Sequence, residues 1–300
     1  MKKFSIIVPA YNVEEYITKS FDNILNQTFK DFEVICVDDC STDNTLNKIN
    51  TYVEKDSRFK LIKHEKNKGP SSARNTALDY AKGQYIVFLD PDDYLMTNAL
   101  ERIYYAFNKS KADSVWYDAK VLSGENLILN LSVHKQHPLL EKEGFYSITS
   151  NNITEFDDFV WDKAFKHSVL KKLNFKFPDG LLFEDAEFYF KIYTQIKEIY
   201  YLPEYLYVYR LLRDNSLVYK IVNETNRELD LFKIFRNIYE YAKQKNLVYE
   251  YRQYLLKTLG ICIKFYKNPK KYEGVVNESL KIFEEINFPQ NFETVNNKKD

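Results

Sequence analysis

The strongest constraint on the fold is where the apolar runs of this chain stop. Residues 4–8 form a β-branched run that ends at Pro9, and residues 32–37 run directly into Asp38 and Asp39. Residues 85–89 are almost wholly apolar and lead straight to Asp90-Pro91-Asp92-Asp93. Short continuous apolar runs alternating with helical patterns give the rhythm of a parallel sheet with crossover helices. In such an open sheet, ligands bind outside the carboxyl ends of the strands. Acids at those ends are badly placed for a core and well placed for chemistry.

The intervening segments carry helix signals. Asn12 and Glu15 have capping-box spacing, which predicts a helix through Asn26. A second helix is expected over 43–54, with a short strand at 59–63 after it. Ser71 or Ser72 can cap a third helix, and Gly83 ends it. A helix over 98–108 and a strand over 114–117 follow. The pattern weakens over 122–154, which reads as a variable linker or loop. It returns with a helix over 184–197 and a strand over 199–210, interrupted by Pro203. There Tyr205, Tyr207 and Tyr209 share one strand face. Beyond Ile221 the sequence reads as helical to Asn268, with Leu229, Phe232, Ile234, Ile238 and Tyr241 at helical spacing. That stripe is a packing or dimer face, because the opposite face mixes acids with Lys and Arg.

Composition limits the function classes. At 300 residues the chain can bury one large α/β core plus a helical extension. Lys+Arg and Asp+Glu are both 43, so no chain-wide electrostatic grip on nucleic acid is expected. Cys36, Cys40 and Cys262 have no framework spacing and read as reduced thiols of a cytoplasmic protein. The opening apolar run is too short for a signal peptide, and no stretch is long enough to span a membrane.

Several residues are candidates for chemistry, each with a plain structural alternative. Asp90 and Asp92 beyond a buried strand would repel unless a cation or donors were shared between them, and oxygen ligands suit Mg²⁺ or Mn²⁺. A solvated Pro-containing turn would also carry them. Asp38 and Asp39 could accept hydrogen bonds from a base or ribose, or act with Ser41-Thr42-Asp43 in capping. Arg74 could reach a phosphate or Asp90, or form a helix-surface ion pair. Glu184 and Asp185 open a helix, where the dipole favours acids, and either could serve as a general base. His134 and His137 lack further ligands for zinc, and His64 and His167 read as surface residues. Neither G-x-G-x-x-G nor G-x-x-x-x-G-K occurs.

Taken together and in order, SIIVPAYNVEEYI, VDDCSTDNT, NKGPSSARNTAL and YIVFLDPDDYL resemble the family 2 glycosyltransferases of the GT-A fold. The likeness covers residues 3–118 and continues more loosely through WDKAFKHSVL, FEDAEF and YRLLRDNS. It implies an α/β, Rossmann-like and mostly parallel sheet with flanking helices over 1–220, plus a C-terminal helical extension over 221–300. Within the first part, 1–118 would be the nucleotide-sugar half and 119–220 the acceptor half. By position, Pro9, Ala10 and Tyr11 would cradle the base and Asp39 would read uracil or its equivalent. Asn67 and Arg74 would make nucleotide- and phosphate-side contacts. The resemblance gives Asp90 the ribose and sugar, Asp92 the divalent metal (Mn²⁺ or Mg²⁺), and Asp185 the role of catalytic base. Glu184 would contact donor sugar or acceptor, and Trp161 with Lys163 resembles an acceptor-side motif. Arg210 and Ser216 resemble a late loop that closes on the pyrophosphate. The family often carries a His there, and this chain has none nearby.

The function so implied is inverting transfer of a sugar from a nucleoside-diphosphate sugar, UDP-linked by expectation, to a hydroxyl of a glycan or lipid-linked acceptor. Assembly of a bacterial surface glycan at the inner face of the membrane is the expected setting. Peripheral membrane association and homo-oligomerisation through the C-terminal helices are open options for partners, and nucleic acid is not expected. Two other readings use some of the same residues. A metal-dependent phosphatase or phosphotransferase would use the Asp90/Asp92 pair, but it leaves Asp38-Asp39 and GPSSARN without a role. A non-catalytic module binding glycan or nucleotide-sugar would not need Asp185.

Overall fold

The computed structural model describes residues 2–123, 127–129, 139–211, 228–265 and 273–287. Its first part is β1 (Phe4–Ala10), α1 (Ile17–Leu25), β2 (Phe32–Asp38), α2 (Thr45–Lys55), β3 (Phe59–Lys63), α3 (Pro70–Tyr80) and β4 (Tyr85–Phe88). β1 pairs in parallel with both β2 and β4, and β2 with β3. Ala10 therefore lies level with Asp38, which brings the ends of the two strands together.

The sheet then extends through β5 (Tyr94–Leu95), β6 (Ser114–Ser123), β7 (Leu127–Leu129), β8 (Gly144–Ser147), β9 (Lys163–Lys166) and β10 (Glu198–Leu211). Its spatial order is β3-β2-β1-β4-β9-β6-β10-β5, with β7 on β6 and β8 on β10. β9 runs antiparallel between β4 and β6, so the strictly parallel pattern holds only for the first four strands in that order. Helices α4 (Ala99–Ser110), α5 (His167–Lys172) and α6 (Glu184–Tyr193) join the body. α7 (Glu228–Gln244), α8 (Arg252–Phe265) and α9 (Glu273–Asn287) form the C-terminal region.

Strand alternation divides the core between two faces. Phe4, Ile6, Val8, Val34 and Cys36 pack with Ile17, Phe21, Ile49 and Ile103 of α1, α2 and α4. Ile7, Ile35, Val37 and Phe88 pack on the other face, in a cluster that includes Ala73 of α3, Phe188 of α6 and Ile234 and Leu255 of the C-terminal helices. A one-residue register slip would exchange these sets, so the pattern fixes which acids reach the strand ends. Each fully buried Leu, Ile, Val or Phe contributes roughly 1.5–3 kcal/mol.

Several local expectations are corrected. Asn12 caps no helix: α1 begins at Ile17 without a side-chain cap. Its amide instead holds Thr42 across the strand ends, accepting from the Thr42 N–H at 2.8 Å. Neither Ser71 nor Ser72 caps α3, which starts at Pro70 behind Gly69. Gly69 has φ +86°, a conformation that glycine adopts without penalty. α3 stops at Tyr80, and Gly83 serves close approach instead: a Cβ there would lie 2.4 Å from the Ser5 nitrogen. The region read as a loop over 122–154 contributes β8 and a 3-10 turn at Ile153–Glu155. Their register comes from pairing with β10, a distant segment that local patterning does not contain. α6 ends at Tyr193 rather than Lys197, and the long C-terminal helix is broken between Gln244 and Arg252. Its stripe is a packing face, since Phe232, Ile234 and Ile238 are buried within this chain. Among the described residues no helix is long and apolar enough to cross a membrane.

Candidate active site

The site is assembled at the carboxyl ends of β1, β2 and β4. Pro9 and Ala10 are buried at the end of β1, whereas Tyr11 just beyond is 37% exposed. The Asp39 N–H donates to the Ala10 carbonyl at 2.8 Å, continuing the ladder one residue past β2. The Asp39 carboxylate accepts from the backbone N–H groups of Lys68, at 3.0 Å to either oxygen, and Gly69, at 2.7 Å. It also meets His64 Nδ1 at 2.6 Å, while His64 Nε2 lies 2.9 Å from the Thr76 hydroxyl of α3. His64 is therefore not a surface residue but a strut between Asp39 and α3. Its signal was its place immediately after β3. His167 is buried too, with Nδ1 2.9 Å from the Gly83 carbonyl. Asn67 is exposed in the same 64–69 loop, and its side-chain oxygen accepts the Gly69 N–H.

β4 delivers Asp90 and Asp92 to the neighbouring position. A residue to which sequence reasoning gave no role fastens them. Asp93 is buried, accepts from the Tyr207 hydroxyl at 2.7 Å, and accepts from the Arg210 N–H at 2.7 Å. Tyr207 in turn receives the Asp90 N–H. Burial, then the charges of Asp92 and Asp90, push the Asp93 carboxyl well up from its ordinary range. Arg210 donates Nε–H to the Asp92 carbonyl at 3.1 Å and lies 5.0 Å from the Tyr16 ring. It stands beside the acidic turn. Ser216 lies outside the described residues, as do His134 and His137.

Among the described residues, no three His, Cys, Asp or Glu side chains converge in the manner of a resident metal site. Mg²⁺-like ions commonly use only one or two carboxylates, completing their shell with phosphate oxygens and water. A half-buried Asp92 beside Asp90 fits a cation that arrives with a nucleotide, and does not fit a permanently held one.

Arg74 joins this end of the site to the second acidic pair. Its guanidinium donates to Asp90 at 3.0 Å and to Glu184 at 2.5 Å, and lies 3.7 Å from Asp185. Burial works against the Arg74 charge, but Asp90, Asp185 and Glu184 raise its pKa overall and keep it protonated. Of the partners open to it in sequence, Arg74 therefore reaches Asp90. Its Nε is buried without a hydrogen-bond partner, as is Asp185 Oδ1. Asp185 is the second residue of α6, whose N-cap is Phe183, a non-glycine residue with φ +65°, a conformation that costs energy and is common at functional sites. Its side chain is 21% exposed. Desolvation lifts its pKa well above the usual value; Arg74 opposes this, and Glu184, Asp90 and Asp158 add to it.

The acceptor-side motif divides into two roles. Lys163 is buried, pairs with Asp162 at 2.6 Å, and donates to the carbonyls of Phe159 and Asp157 at 2.6 and 3.1 Å. It braces the turn that precedes it and does not face open space. Trp161 is only 5% exposed and stacks on Phe159, Tyr207 and Tyr209, with centroids 4.9, 4.8 and 5.4 Å away. The tyrosine face of β10 thus supports Trp161.

The sequence and the fold both resemble those of known proteins. The model of the family described as glycosyl transferase family 2 matches residues 5–173. A poly(ribitol-phosphate) beta-glucosyltransferase of Bacillus spizizenii is 32% identical over 71% of this chain and 33% of its own length. A Campylobacter jejuni GalNAc(5)-diNAcBac-PP-undecaprenol beta-1,3-glucosyltransferase is 29% identical over 96% of this chain and 91% of its own. The chain thus spans about a third of the first relative and nearly all of the second. The structure of Staphylococcus aureus TarS 1-349 in complex with UDP-GlcNAc superposes with a TM-score of 0.77 at 24% identity, covering 95% of this chain and 81% of that one. With the ordered motifs, the strand-end acids and the matching architecture in agreement, the chain belongs to glycosyl transferase family 2 and has the GT-A fold.

Proposed function

We propose that this enzyme transfers a sugar, with inversion, from a UDP-sugar to a hydroxyl group of a glycan or lipid-linked glycan. Asp185 is its general base. The observation that carries the reading is the Arg74 clamp, in which one guanidinium meets Asp90, Glu184 and Asp185 together. The donor lies across the ends of β1 and β2, with its base by Pro9, Ala10, Tyr11 and Asp39. Asn67 orders the loop beside it. Asp90 addresses the ribose and sugar, and Arg210 and Ser216 belong to the pyrophosphate side. A divalent metal bound with the nucleotide through Asp92 would neutralise charge growing on the departing diphosphate. On this reading residues 1–118 are the donor half and 119–220 the acceptor half, and the described C-terminal helices pack into the core that α3 and α6 share.

The chemistry proposed for these acids is a single displacement. As the bond from the anomeric carbon to phosphate breaks, that carbon gains oxocarbenium character. Asp185, on the side away from the departing diphosphate, takes the proton of the acceptor hydroxyl while the acceptor's oxygen bonds to the anomeric carbon. The nucleoside diphosphate leaves with the bonding electrons, and the proton remains on the Asp185 carboxyl. A raised carboxyl pKa suits a base, since proton affinity near neutrality drives transfer. Glu184 is hydrogen-bonded to Arg74, whereas the Asp185 oxygen nearest Arg74 accepts no hydrogen bond.

The test is calorimetry with UDP, GDP, CDP and their common sugar conjugates, with and without Mn²⁺. Tight binding of a UDP compound only when Mn²⁺ is present supports the reading. Selective binding of GDP would reject the uracil assignment, and no nucleotide binding at all would reject the donor site.

A further inference from the structure

The turn before Lys163 presents two side chains that the donor chemistry does not use. Lys163 fixes the carbonyls on either side of Asp158, so the position of this turn is set by a buried cation. Lys163 Nζ also lies 6.0 Å from the ring of Tyr189, four residues after Asp185 in α6, so the turn sits against the helix that carries the base, and the Asp158 charge adds to the upward shift of the Asp185 carboxyl. The pKa of Asp158 is itself raised by burial, against the opposing charge of Lys163. Next to it, Phe159 is 38% exposed, although its ring stacks at 20° on Trp161. Trp161 stacks on Tyr207, whose hydroxyl receives the Asp90 N–H. A column of near-parallel rings therefore leads from the acidic turn to one open aromatic face.

A ring open to solvent beside a carboxyl is the combination that holds a pyranose: axial C–H groups pack on the aromatic face, and hydroxyls donate to the acid. Trp161, the aromatic residue that stands out in the sequence, is too buried for this role. We propose that Phe159 is the stacking platform for the sugar ring of the acceptor, that Asp158 accepts one of its hydroxyls, and that the acceptor is a pyranoside rather than an open-chain polyol. This rests on the transfer reading above, with Asp185 as the neighbouring base. The braced turn makes the platform preorganised, so its loss should appear in acceptor binding and leave donor binding unaffected.

The experiment measures transfer from the UDP-sugar selected by calorimetry to octyl glucoside, octyl N-acetylglucosaminide, octyl N-acetylgalactosaminide and ribitol 5-phosphate. We expect at least one pyranoside to be used and ribitol 5-phosphate to be refused. Phe159→Ala should raise acceptor KM by about tenfold, the scale of one lost aromatic contact. Donor KM should stay within about twofold, and Phe159→Trp should restore the acceptor KM. Asp158→Asn should raise acceptor KM less. An unchanged acceptor KM in Phe159→Ala overturns the proposal. So does use of ribitol 5-phosphate in preference to every pyranoside, or refusal of all three pyranosides by protein that binds UDP. Should wild-type protein fail to bind any UDP compound, the donor assignment falls first, and that result is distinct from the others.

Discussion

Asp39 and Asp185 stand at the two ends of one site, and their hydrogen bonding differs. Asp39 has both oxygens engaged, by two backbone N–H groups and His64. Asp185 has a buried oxygen with no hydrogen-bond partner, beside an arginine whose Nε also has none. A satisfied carboxylate fixes loops, whereas an unsatisfied one has proton affinity to spare. On the proposed reading, the donor end is thus built for shape and the acceptor end for reactivity. Arg74 is the only described cation seen bridging the two acid pairs.

Substitutions at the two ends should separate these roles. The largest effect is expected at the reactive end: Asp185→Asn should lower kcat by about 10²–10⁴-fold, the usual share of a general base. UDP affinity should change little. Asp92→Ala should weaken Mn²⁺-dependent UDP binding by about a hundredfold, or ~2.7 kcal/mol, in the same calorimetric titration. Metal-free binding should be nearly unchanged.

Arg74→Met addresses the connection itself. Removing one partner of a buried ion pair typically costs about 3–5 kcal/mol, which denaturant unfolding would register. It should also displace the pH profile. Asp185 acts as a base only when ionised, so kcat/KM falls as pH drops through its raised pKa. Arg74 favours the ionised form, and its loss should move that acid limb to still higher pH. The stability sign is opposite: a buried carboxyl with a raised pKa favours the fold while protonated, and that contribution fades as pH rises through the folded-state value. A limb that stays in place would show that another group sets it. The smallest effect is expected at the donor end, where His64→Ala should weaken UDP binding by about threefold to tenfold by loosening Asp39. Equal losses for UDP and CDP would mean that His64 only holds the loop.

How much could be read in advance differs between the same two ends. The first half was legible because its acids follow apolar strands within a few residues, so local pattern and position at the sheet edge coincide. β1, β2 and β4 lie where the apolar runs predict them, and Asp38, Asp39, Asp90 and Asp92 stand at their ends. The other half depends on distant pairing. β9 enters between β4 and β6, and β8 takes its register from β10, so neither could be placed from its own residues. Asp93 read as part of an acidic turn because its partners, Tyr207 and Arg210, lie more than a hundred residues away. Trp161 stood out by residue type, but stacking by β10 buries it and leaves Phe159 as the exposed ring.

The configuration of the transferred sugar tests the single-base chemistry most directly. The enzyme would be given the UDP-sugar that it binds, in the α-linked form, and a pyranoside acceptor that it uses. The anomeric proton coupling of the product would then be read by NMR. One displacement with Asp185 as base predicts a β-linked product, through inversion at the anomeric carbon. An α-linked product, formed by retention, would contradict it and require a second displacement or a different role for Asp185.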